Sequence, residues 1–69
     1  MTLIDEYIIG ETMIEGVPVT CTTYKIGTRY HCVIADPSLG MNVARCTGPT
    51  RESAMLCAEQ LARRLFTNA

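Results

Sequence analysis

Residues 50–66 read T-R-E-S-A-M-L-C-A-E-Q-L-A-R-R-L-F, from Thr50 to Phe66, and their spacing decides what the rest of the chain must build. At about 100° per residue, Ala54, Cys57, Ala58, Leu61, Ala62 and Leu65 fall on one arc while Glu59, Gln60, Arg63 and Arg64 fall opposite. That is the apolar stripe of an amphipathic helix over about 50–66. Alanines at i, i+4 and i+8 keep the stripe thin, so the helix lies close on a flat surface, with Leu61 and Leu65 supplying the bulk. A flat surface means a sheet. Thr50 is placed to cap the helix with its hydroxyl, Glu52 sits near the positive end of the macrodipole, and Arg63 and Arg64 sit near the negative end.

Upstream, the chain supplies four strand-like runs. Residues 7–14, Y-I-I-G-E-T-M-I, favour a strand that Gly10 weakens; Glu15-Gly16 then forms a two-residue turn into residues 17–26, V-P-V-T-C-T-T-Y-K-I. Pro18 cannot donate to a ladder, which puts the start of that run at an edge or bulge. Gly27-Thr28 closes it. Residues 29–35, R-Y-H-C-V-I-A, alternate Tyr30, Cys32 and Ile34 with His31, Val33 and Ala35, the pattern of a central strand. Asp36-Pro37-Ser38-Leu39-Gly40 is a turn leading into a fourth strand over about 41–46, which Thr47-Gly48-Pro49 ends. Met1–Glu6 reads as a lead-in and residues 67–69 as a frayed end. The predicted fold is α+β, a single domain over 1–69 in the order β-β-β-β-α, with two hairpins forming a four-stranded antiparallel sheet and one C-terminal helix packed across it.

Sixty-nine residues lie near the lower size at which one apolar core holds a chain folded unaided. With 48% apolar and 19% charged residues the chain is too apolar for a disordered tail. A net charge of −1 gives no bulk attraction to nucleic acid or membrane, but sign is segregated: residues 1–24 carry −4 and residues 25–69 carry +3. The acidic segment is expected to pair with basic groups of its own or a sister chain. No apolar run reaches the ~18 residues needed to span a bilayer, and M-T-L-I-D-E has neither the basic start nor the apolar centre of a signal peptide, so a cytoplasmic location is expected. Four cysteines, at 21, 32, 46 and 57, form no C-x-x-C pair and read as reduced thiols used as small apolar residues.

In the second hairpin neither face is polar. One face would show Val33, Ala35, Met41 and Val43 with His31 and Arg45 at its end, the other Tyr30, Cys32, Ile34, Ala44 and Cys46. One helix covers one face, so the other needs the first hairpin folded over it or a second subunit. Small size points the same way, to a homodimer. Tyr30, Cys32, Ile34, Met55, Leu56 and Phe66 are the candidate interface residues.

No motif for catalysis is present: no H-E-x-x-H, G-x-S-x-G, P-loop or G-x-G-x-x-G occurs. The single histidine, His31, sits inside a strand, and its neighbour Cys32 points to the opposite face. No catalytic, metal or cofactor residue is assigned, and an enzyme is not expected. For nucleic acid, residues 45–62, R-C-T-G-P-T-R-E-S-A-M-L-C-A-E-Q-L-A, resemble the closing half of a double-stranded-RNA-binding domain, in which a strand, a glycine turn and a basic helix start precede an alanine-rich helix. The resemblance implies phosphate contacts, to which Arg45, Arg51, Arg63 and Arg64 would contribute, with Tyr24 and Tyr30 available to stack on bases. Only Arg51 matches that family's basic cluster; Glu52 and Met55 stand where it carries lysines. In size and element order the chain is also similar to HicB-like antitoxin domains and other small phage-encoded proteins, a likeness that transfers no residues. The reading is therefore a non-catalytic, homodimeric module acting through protein–protein contact as a regulatory or inhibitory accessory protein, with a nucleic-acid module as the alternative.

Overall fold

The computed structural model describes residues 4–67, with side chains from Glu6 onward. Met1–Leu3 of the expected lead-in and Asn68-Ala69 of the expected frayed end lie outside the described residues. The elements are β1 (Ile4–Ile14), β2 (Val17–Ile26), β3 (Arg29–Asp36), β4 (Met41–Gly48) and α1 (Arg51–Thr67). The strands form one antiparallel sheet in the order β1-β2-β3-β4, with α1 packed against one face, an α+β fold.

Chain-order neighbours follow from the turns. Glu15 and Gly16 both have positive φ, 51° and 77°, the mirror-image turn whose twist suits a hairpin. Gly27, at φ 62°, opens a second two-residue turn. The first hairpin therefore extends the sheet instead of folding over it, and three hairpins run in series where two were expected. At the third turn Asp36 organises the corner: its Oδ1 accepts from the Ser38 backbone N–H (2.9 Å) and hydroxyl (2.6 Å), and its carbonyl accepts from Leu39 (3.2 Å) and Gly40 (2.9 Å). The Ser38 hydroxyl bond holds the Asp36 carboxyl below its ordinary pKa.

β1 begins earlier than its apolar run suggests. Ile4 pairs with Ile26 and Asp5 with Lys25, and the register then shifts before Ile8, where Glu6 takes φ 51°. This bulge brings the Glu6 carboxylate to Lys25 (3.8 Å) and Arg51 (3.4 Å), and the Tyr30 hydroxyl donates to it (3.1 Å). Ile4–Glu6, read from sequence as part of a lead-in, is strand. A second irregularity lies between Ile34 and Ala35, which pair with Ala44 and Asn42. Val43 is the unpaired extra residue and packs toward the core, so it leaves the face to which alternation assigned it. Met41 changes face as well, pairing with Asp36.

The core lies between α1 and the sheet face built by Val19, Cys21, Cys32, Ile34 and Ala44. Ala54, Ala58 and Ala62 are fully buried, as a thin stripe on a flat surface requires. The bulk does not come from Leu61 and Leu65, which stay 41% and 52% exposed; Met55 and Phe66 pack on the core instead. Cys57, on the leucine side of the alanine row, is bonded to β4, and the two leucines that follow it stay on the outer shoulder of the contact.

The helix start is closed reciprocally. The Ser53 N–H donates to Thr50 Oγ1 (3.1 Å) and the Thr50 N–H to Ser53 Oγ (3.2 Å), a box with serine in place of the usual acid or amide. Just before it, Gly48 is buried, and a Cβ there would overlap Ser53 Oγ. Cys46 on β4 and Cys57 on α1 form a disulfide with Cα atoms 5.9 Å apart. This overturns the expectation that all four cysteines are reduced: helix packing brings together two residues whose spacing along the chain signals nothing. Cys21 and Cys32 remain free, with sulfurs 3.1 Å apart.

Candidate functional site

The fold leaves one face of the sheet without a cover, because α1 packs on the other. Antiparallel partners share a face, so the register fixes its composition. Ile9, Thr22, Val33 and Arg45 form one row across the four strands, and Glu11, Thr20, Ala35 and Asn42 form the next. Met13 pairs with Pro18 beyond them. On the other side Tyr24 pairs with His31 and His31 with Thr47, and Tyr7 stacks on Tyr24.

The rings of this last row are packed against each other. Tyr7 and Tyr24 lie 6.0 Å apart between centroids at 23°, and Tyr24 and His31 lie 5.2 Å apart at 5°. At that spacing the rings stand on edge over adjacent strands, and both faces of Tyr24 are occupied. The row is a ridge, not a flat platform for bases. Along the outer strand Tyr7, Ile9 and Met13 are 58%, 60% and 63% exposed, a run of large apolar side chains on one side of one strand. A shallow hollow of about 330 Å³ lies beside Met13, walled by Glu11, Pro18 and Pro37 among others.

Charge on this face is sparse and divided. Glu11 stands on β1; Arg29 and Arg45 stand on β3 and β4. Arg29 is within 3.5 Å of the Thr47 hydroxyl. Among the described residues neither Glu11 nor Arg45 has an ion-pair partner in its own chain.

The residues singled out from sequence fall mostly elsewhere. Cys32 and Ile34 are wholly buried beneath the helix, and Tyr30, Met55 and Phe66 pack against that same core. Tyr30 is flanked by Lys25 and Arg51, each about 5.5 Å from its ring centre. Leu56 alone of that set is well exposed, at 57%. The four arginines do not converge. Arg51 pairs with Glu6 and Arg63 with Glu15 (3.2 Å), Arg64 is exposed in the last turn, and Arg45 lies on the other side of the sheet. The acidic first segment thus meets the basic second half within one chain.

His31, on the helix-free face, is separated by the sheet from Cys21 and Cys46, so no thiol–imidazole dyad forms. Burial, reinforced by the neighbouring Cys21 thiol, pushes the Cys32 thiol up to about 12, which removes thiolate character. Cys21 stands level with Ile34 and hence with Ala44, two strands and two residues from Cys46. That offset is about 11 Å between Cα atoms. It exceeds the roughly 9 Å that two thiolates sharing a zinc at about 2.3 Å allow, so four cysteines do not converge on one metal. Among the described residues no helix is long and apolar enough to cross a membrane.

Sequence reasoning missed Tyr7, Ile9 and Met13. Their signal is an i, i+2 alternation, masked by Ile8 on the opposite face and interrupted by Glu11 on their own. Compared with family models, curated proteins and solved structures, the chain matches none of them, so neither resemblance drawn from its sequence gains support.

Proposed function

We propose that this chain acts by binding rather than by chemistry, as a homodimeric module that makes regulatory or inhibitory protein contacts through the helix-free face of its sheet. The observation that carries this reading is the uncovered apolar run of Tyr7, Ile9 and Met13 beside the Tyr24–His31 ridge. An antiparallel sheet with one solvated face normally alternates apolar and polar residues, and this face departs from that pattern on β1 and β3. Leaving such a patch in water costs about 25 cal/mol for each Å² of apolar surface that a partner would cover. The nucleic-acid alternative draws less support, because Arg51 and Arg63 are engaged with acids of their own chain and Arg45 faces away from both.

Light scattering on a size-exclusion column at micromolar concentration tests it. The expected mass is twice 7.6 kDa, falling to the monomer in Met13→Glu with an unchanged circular dichroism spectrum. A wild-type monomer across that range dismisses the homodimer. Titration with double-stranded RNA in rising salt tests the alternative, since phosphate contacts would show a steep salt slope.

A further inference from the structure

The geometry points to one arrangement of the second copy, an inference that rests on the reading just given. We propose that two sheets pack by their helix-free faces about a two-fold axis running along the strands, so that β1 of each copy lies over β4 of the other and Glu11 meets the partner's Arg45. The face spans four strands and about eight residues, roughly 19 Å by 26 Å from ordinary strand spacing and rise. That is about 500 Å² per copy and about 1,000 Å² for the pair, the lower bound for a specific interface. The area suffices only if the whole face is used, which favours sheet on sheet over a contact along one edge.

Charge selects the axis. Glu11 is on one edge strand and Arg45 on the other, and neither has an ion-pair partner among the described residues of its own chain. An axis along the strands exchanges the edges and brings acid to base twice. An axis across the strands lays β1 on β1 and β4 on β4, bringing acid toward acid and base toward base. In the favoured arrangement the Glu11 row and the Arg45 row are adjacent, an offset of about 7 Å along the strand that an arginine side chain spans.

Charge exchange tests the arrangement. E11R and R45E alone each place like charges at both symmetric contacts, and either should weaken the dimer about tenfold or more at low salt. An equimolar mixture of the two should recover near wild-type affinity as a dimer of one E11R and one R45E chain, because one contact is then native and the other inverted. The double variant E11R/R45E should also recover. Both sites are exposed, and circular dichroism checks that each variant folds. A wild-type dimer that either substitution leaves unchanged, or that the mixture does not restore, overturns the arrangement while a dimer broken by Met13→Glu still upholds the face. A wild-type monomer overturns both.

Discussion

The two faces of this sheet are built by the same four strands, and they differ in what finishes them. On the helix side Val19, Cys32 and Ile34 are buried beneath the helix; on the other side Ile9 and Met13 stand open beside a ridge of stacked rings that Tyr7 ends. The difference is one of width. A helix is about 10 Å across with its side chains, and four strands span about 19 Å, so one helix cannot shelter even one face completely. Helix contact is concentrated over β3 and β4, and Ile8, which shares a face with the buried Thr23, is still 48% exposed. The fold therefore has a stable half and an unfinished half, and adjacent residues can belong to either.

Ile34 and Val33 make the sharpest test of that contrast. Ile34→Ala removes a wholly buried side chain from the centre of the core and should cost about 2–5 kcal/mol by urea unfolding. A chain of this size holds only roughly 3–10 kcal/mol in total, so the variant should sit near its midpoint in mild denaturant. Val33→Thr, one residue away on the open face, should change monomer stability by no more than about 0.5 kcal/mol and act on assembly instead. Equal losses at both positions would show that the open face is already covered within one chain.

The helix attachment comes next in size. The Cys46–Cys57 bond closes a short loop, for which chain entropy gives about 2–3 kcal/mol, so reduction or Cys57→Ala should lower the unfolding free energy measured in urea by that amount. Cys21 and Cys32 should stay unreactive to thiol reagents until the chain unfolds, since both are buried and the Cys32 thiol is pushed up to about 12. Ala58→Leu would force an extra branched side chain into the closest helix–sheet contact and should cost about 1–3 kcal/mol, whereas Leu61→Ala on the outer shoulder should cost far less. Comparable losses at Ala58 and Leu61 would place the contact stripe where the helical wheel alone puts it.

How much of this is legible from residues depends on the range of the cause. The helix, its Thr50 cap and the four strands follow from periodicity and turn chemistry, which are local. The features that escaped are set by pairing. The Glu6 bulge extends β1 beyond its apolar run, and the bulge at Val43 shifts β4 by one residue, reversing the faces of Val43 and Met41. The Cys46–Cys57 bond depends on how far α1 slides along β4. Tyr7, Ile9 and Met13 share one face of β1, but Ile8 and Ile14 on the opposite face and Glu11 among them hide that alternation along the chain. Of the interface residues expected from sequence, Cys32 and Ile34 are strongly apolar residues of the central strand, and the helix covers the face they share.

The smallest effect concerns the corner where the buried face ends. Asp36 is 5% exposed, and the Ser38 hydroxyl and two backbone N–H groups favour its ionised form, so its folded pKa lies below the ordinary 3.8. A carboxyl depressed by folding contributes stability that is fully present above the unfolded pKa and is lost as pH falls through the folded one. The unfolding midpoint should accordingly be flat from neutral pH to about 5 and should decline below about 4. Asp36→Asn keeps an oxygen that can accept from Ser38 but carries no charge to titrate. The variant should start slightly below wild type at neutral pH and converge with it in acid, the gap closing over the same interval in which wild type declines. A gap that persists unchanged to pH 2 would mean that the corner is held by backbone geometry at Gly40, whose φ of 67° suits glycine, and not by the carboxylate.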